Sequence, residues 1–247
     1  MMFRLLSRVP PAAAAATCGV ALHGVAQPDS ARCEGWKFWQ KKTAVEDLAA
    51  LSATSPARKA TLADLGGEPM KEPRTGVLFP AANVQGSLKL AGCGVRSKYG
   101  IVPVYAVGLY AHPDFKVAEG ADVLAALRAA VANDKLTNEI RLTLVRDVGA
   151  ATFVKALEEQ VLPRSSKQQC DLFSTTCQAG LADTIKDKTT LVLRLKPDGT
   201  IDLLSEGALV ASVQVPEVAD ALLDVYVGPD AVSPAARDSI CAGLKAF

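Results

Sequence analysis

Toward the end of the chain two alternating runs, TTLVLRLK and TIDLLSEGALV, flank Pro197-Asp198-Gly199. Alternation at period two puts every second side chain on one face of a strand. Pro-Asp-Gly supplies the fixed φ and the left-handed position that a tight reversal needs. The pattern predicts an antiparallel hairpin with one apolar face. Such a face has to be buried, so the fold requires a sheet and a layer that covers it.

The rest of the chain supplies both. Residues 87–95 (SLKLAGCGV) alternate Leu88 and Leu90 with polar or small residues, and Gly92 and Gly94 mark a bulge or a close approach to the backbone. Residues 99–110 (YGIVPVYAVGLY) and 139–145 (EIRLTLV) read as further strands. Residues 122–132 carry Val123, Leu124, Leu127 and Val131 at helical spacing, and residues 151–162 do the same with Phe153, Val154, Leu157 and Val161. Further helices are expected at 172–185, 218–227 and 233–247. Ser233 is the N-cap of the last, with Pro234 at its first helical position. This order predicts an α+β fold, an antiparallel sheet with helices on one side.

Residues 73–247 are assigned to that domain, and the chain before it reads differently. Residues 1–28 contain Arg4 and Arg8 and no acidic residue before Asp29, the composition of an organelle-targeting presequence. Phe3, Leu5, Leu6 and Val9 with the two arginines suit mitochondrial import. A plastid address is the alternative, although Ser7 is the only serine in the segment. Residues 29–72 read as a tether. Within them ARCEGWKFWQKK is a basic–aromatic patch suited to peripheral contact with an anionic membrane, and Thr43 to Glu46 form a capping box for a short helix. Residues 52–73 are rich in Ser, Pro, Gly, Lys and Glu and have no apolar period.

Several function classes lose support. The net charge is +1, which offers no basic field to a nucleic acid. Six cysteines are scattered, and Cys170 and Cys177 stand too far apart for a zinc knuckle or a redox CxxC. Buried thiols are expected, with a Cys170–Cys177 disulfide as the alternative in an oxidising compartment. The only histidines are His23 and His112, and there is no GxSxG, HExxH or Walker loop. The expectation is no metal and no cofactor.

Three segments in order now resemble a known family. PRTGVLFP followed by SLKLAGCGVRSKYGIVPVYAVGLY resembles the opening of the chalcone isomerase-like fold. IRLTLVRDVGAATFVKAL resembles its central strand, turn and helix, and LLDVYVGPDAVSPAARDSI its closing motif, read with a turn at Tyr226-Val227-Gly228. The resemblance implies an open-faced β-sandwich over residues 73–247. It also implies one of three roles, because the family contains true isomerases, fatty-acid-binding members without isomerase activity, and mitochondrial members.

On that resemblance Arg96 matches the family's shared arginine, and Tyr105 falls where the fatty-acid binders carry tyrosine and the isomerases threonine. The pair would hold a ligand carboxylate, with two parallel hydrogen bonds from the guanidinium and one from the phenol. Tyr105, Val107 and Leu109 share a strand face, which puts the tyrosine at the head of an apolar lane. Matched on Gly149, the isomerase tyrosine is replaced by Thr152, a short donor kept as a ligand-lining residue, and the asparagine by Glu159. A one-residue slip would put Phe153 at the first position.

The implied function is non-catalytic binding of a fatty acid or a similar carboxylate-bearing apolar ligand. Two alternatives stay open. One is an intramolecular lyase of chalcone isomerase type working through Thr152 and Glu159. The other is a mitochondrial haem-binding protein with His112 as axial ligand and Arg96 on a propionate. An apolar tunnel ending at Arg96, a flat aromatic-sized cleft, or a slot with His112 facing Arg96 would separate the three.

Overall fold

The computed structural model describes residues 67–247 apart from Tyr99 and Asp134. The presequence, the basic–aromatic patch and the capping box at Thr43 lie outside the described residues. The first two strands, β1 (Met70–Lys71) and β2 (Leu78–Phe79), form a short antiparallel pair. β1 thus stands within the span read as tether.

The main sheet is built from β3 (Lys89–Lys98), β4 (Val102–Ala111) and β5 (Asn138–Leu144), then β8 (Thr190–Leu195), β9 (Thr200–Ser205) and β10 (Ala208–Gln214). The six strands run antiparallel in the order β10-β9-β8-β5-β4-β3. A second short pair joins β6 (Val148–Gly149) to β7 (Thr184–Ile185). The helices are α1 (Val123–Asn133), α2 (Ala150–Val161), α3 (Lys167–Gly180), α4 (Pro216–Val227) and α5 (Pro234–Leu244).

The alternation seen in the sequence becomes apolar rows that cross the strands. Leu109, Ile140, Leu193 and Leu203 stand in register, and so do Val107, Leu142 and Leu191. All are buried, and with Leu127, Phe153, Val154, Phe173 and Leu222 from the helices they form the main core. The sheet's other face carries a small apolar cluster of Phe79, Leu88, Leu90, Cys93, Ala106 and Tyr110 under the N-terminal segment, and beyond it mixes charged side chains with Val192 and Leu204.

Gly92 and Gly94 are explained by α5, which lies directly on β3. A Cβ on Gly94 would stand 2.5 Å from the Cα of Ala236, and one on Gly92 2.5 Å from the carbonyl carbon of Ser239. The ladder also shifts register between Leu90 and Gly92, so both expectations for these glycines hold. Ser233 caps α5, accepting from the Ala236 amide at 3.3 Å, and donates to the Val95 carbonyl at 2.8 Å.

Three local readings are corrected. The run TIDLLSEGALV is not one strand. It turns at Glu206 and Gly207, with φ of 50° and 84°, a reversal that asks for Asn or Gly at both centres and here carries Glu at the first. The helix expected at 172–185 begins at Lys167 and ends at Gly180, because its first turn, Lys-Gln-Gln, has no apolar residue to mark it. Tyr226 and Val227 are the last turn of α4, with Gly228 as C-cap.

Cys170 and Cys177 sit two turns apart on the buried face of α3 and are free thiols, as are Cys93 and Cys241. Burial pushes Cys177 up to about 12 and, with help from Glu72, Cys93 up to about 11. Asp147 lies 3.0 Å from Lys186 and accepts from the Asp187 amide, which ties down the turn after β5.

Candidate ligand site

Arg96 and Tyr105 are direct partners across β3 and β4, so their side chains leave the sheet on the same, helix-covered face. The ladder shifts just after Arg96, between Arg96 and Ser97, and the half-buried guanidinium lies over the Tyr105 ring, 5.8 Å from its centroid. This is a cation–π contact. Tyr105 is 3% exposed, and α2 packs Phe153 edge-on against it with ring centroids 6.2 Å apart.

The tyrosine hydroxyl does not stand alone. It lies 2.9 Å from the hydroxyl of Tyr226, itself buried in the last turn of α4. Burial pushes both phenols above their usual range, and Arg96 pulls each partly back. Both are therefore neutral donors around pH 7. Two phenols carry two protons, and the bond between them uses one. The other has no acceptor among the described residues, and no carboxylate among them pairs with Arg96. The cluster has more donors than acceptors, which is the condition for taking an anion.

The family model for chalcone isomerase-like proteins matches residues 76–240. The chain belongs to the chalcone isomerase-like family. Among solved structures, this chain is similar to a fatty-acid binding protein of Arabidopsis thaliana. The likeness is 25% in sequence identity with a TM-score of 0.61, and covers 73% of this chain and 100% of that one. No curated protein sequence matches it.

Within this chalcone isomerase-like chain the structure brings Arg96 and Tyr105 together and leaves Thr152 outside. Thr152 is exposed in the first turn of α2, on the solvent side with Lys155 and Glu159. The inward position belongs to Phe153. Successive helical residues are turned by about 100°, so a one-residue error in alignment decides which side chain faces the sheet. Here the phase set at Gly149, the N-cap, favours the slipped match. Glu159 is exposed as well, so neither residue named for a lyase reaction faces the cluster, and Phe153, which does, offers no hydroxyl.

His112 follows the opposite end of β4 from Tyr105. Seven residues of strand at roughly 3.3 Å each put them about 23 Å apart. Its Nδ1 accepts from the Asp114 amide at 3.2 Å, and among the described residues no slot sets His112 facing Arg96. The apolar tunnel that would favour the fatty-acid reading is not open among the described residues either. Val107 and Leu109 are packed to 0% and 1% exposure, and none of the principal cavities is lined by Arg96 or Tyr105.

Tyr226 is the residue that sequence reasoning missed. Its signal is a phenolic hydroxyl between the apolar Val225 and Val227 in ALLDVYV. A tyrosine buried in such a helix needs a hydrogen-bond partner, although the sequence does not say which one.

Proposed function

We propose that this protein binds a fatty acid, or a similar apolar molecule with a carboxylate, without transforming it. The donor surplus at Arg96, Tyr105 and Tyr226 carries the reading. A carboxylate there accepts two parallel bonds from Arg96 and the phenolic proton that now lacks an acceptor. That the Arabidopsis neighbour is a fatty-acid binding protein supports the same reading.

The tail follows the lane of Val107 and Leu109, between the sheet and α2 and α4. Because that lane is packed, binding opens it. Burying about ten methylenes at roughly 0.8 kcal/mol each is worth about 8 kcal/mol gross. Association and opening consume part of this, so affinity on the order of micromolar is expected.

The test is displacement of a fluorescent fatty acid from the full-length chain. Arg96→Ala should weaken binding at least tenfold with an unchanged circular dichroism spectrum, and equal affinity in a folded variant ends the carboxylate role. The same protein should give no cyclised product from a chalcone; turnover above the uncatalysed rate would return it to the lyases.

A further inference from the structure

On the outer face of the sheet, away from the helices, side chains stand in rows across the strands. One row reads Tyr110, Glu139, Arg194 and Asp202 in register. Its charges are matched. Arg194 Nε lies 2.8 Å from Glu139, and Asp202 lies 2.7 Å from Lys196 and accepts from Ser212 at 2.7 Å.

The neighbouring row reads Gly108, Arg141, Val192 and Leu204. Arg141 therefore has a glycine on one side and a valine on the other. Among the described residues no carboxylate lies within ion-pair distance of it. Its buried Nε has no hydrogen-bond partner among the described residues, and its guanidinium lies 5.1 Å from the centroid of the Tyr110 ring.

A cavity of about 330 Å³ opens beside it, walled by Val84, Gln85, Val192 and Leu204. Of the acids that line this cavity, Glu139 is taken by Arg194, and the exposed Glu206 is bonded to the Thr190 amide. A buried guanidinium N–H without an acceptor destabilises the fold, and an acceptor supplied from outside removes that penalty. The planar fork of an arginine held over an aromatic ring suits an oxyanion.

We propose that this cavity is a second small-molecule site, which takes a carboxylate or phosphate group on Arg141 and a short apolar portion against Val192 and Leu204. It is separate from the Arg96 cluster, because the two arginines leave the sheet on opposite faces. Its standing does not depend on the fatty-acid reading.

The experiment is thermal unfolding of the full-length chain with inorganic phosphate and, separately, with butyrate, each at tens of millimolar and at constant ionic strength. Wild type, Arg96→Ala and the double variant Arg96→Ala/Arg141→Gln are compared, so that the carboxylate site proposed at Arg96 cannot answer for the cavity. At least one probe should raise the Tm of wild type and Arg96→Ala by on the order of 3 °C, while the double variant does not respond. Response of Arg96→Ala to phosphate alone, butyrate alone or both identifies the oxyanion and supports the site in each case. A shift that persists in the double variant, or none in Arg96→Ala, overturns it. Should the double variant fail to fold, Arg141→Lys in the same Arg96→Ala background keeps the charge but not the fork, and should bind the responding probe several-fold more weakly. Equal binding by that variant also overturns the proposal.

Discussion

At the scale of single residues, the bond between Tyr105 and Tyr226 joins two groups that each need the other. Tyr226→Phe leaves the Tyr105 hydroxyl buried and unpaired, which should cost about 1–2 kcal/mol in urea unfolding. Removing both hydroxyls should cost less than the two single changes added together. A strictly additive double mutant would mean that the bond contributes nothing. The buried thiols make a pH prediction. Cys177 rises from its ordinary 9.0 to about 12 in the fold. Between those values the unfolded chain loses a proton that the native chain keeps, so stability falls as pH rises from about 9. In Cys177→Ala that alkaline decline should be shallower, and equal slopes in both proteins would place its cause elsewhere. Arg96 and Tyr105 were legible through the family resemblance, whose opening segment carries both within one local stretch of chain. Tyr226, on a distant helix, was not.

At the scale of elements, the docking of α5 on β3 depends on two missing side chains. Gly94→Ala puts a methyl 2.5 Å from the Ala236 Cα, and backbone cannot step aside as a flexible side chain would. It should cost at least about 2 kcal/mol in equilibrium unfolding. Gly100→Ala is the control: its φ is 72° with open space around the new atom, so only the backbone penalty of about 1–2 kcal/mol applies. If Gly94→Ala proves as mild as Gly100→Ala, α5 is not held against the strand as closely as described. Strands and helices were read well where an apolar period ran unbroken. They were read poorly where a polar first turn opened α3, or where a glutamate sat at positive φ between β9 and β10.

At the scale of the whole molecule, the chain joins one folded domain to an N-terminal stretch read only from composition. We propose that residues 1–28 direct it to mitochondria. A fluorescent protein fused behind them should accumulate there, and accumulation in plastids would favour the other address. The α+β class, the one-sided cover of helices, the hairpin at Pro197-Asp198-Gly199 and the cap at Ser233 were all determined by the sequence alone, because each follows from local periodicity or turn chemistry. Tertiary structure alone decided that Phe153 and not Thr152 faces the sheet, that Tyr226 reaches Tyr105, that the apolar lane is closed, and that Arg141 has no acid beside it among the described residues. Those outcomes depend on the phase of a helix against a sheet and on the register of strands far apart in sequence. Packing sets both, and no local pattern records them.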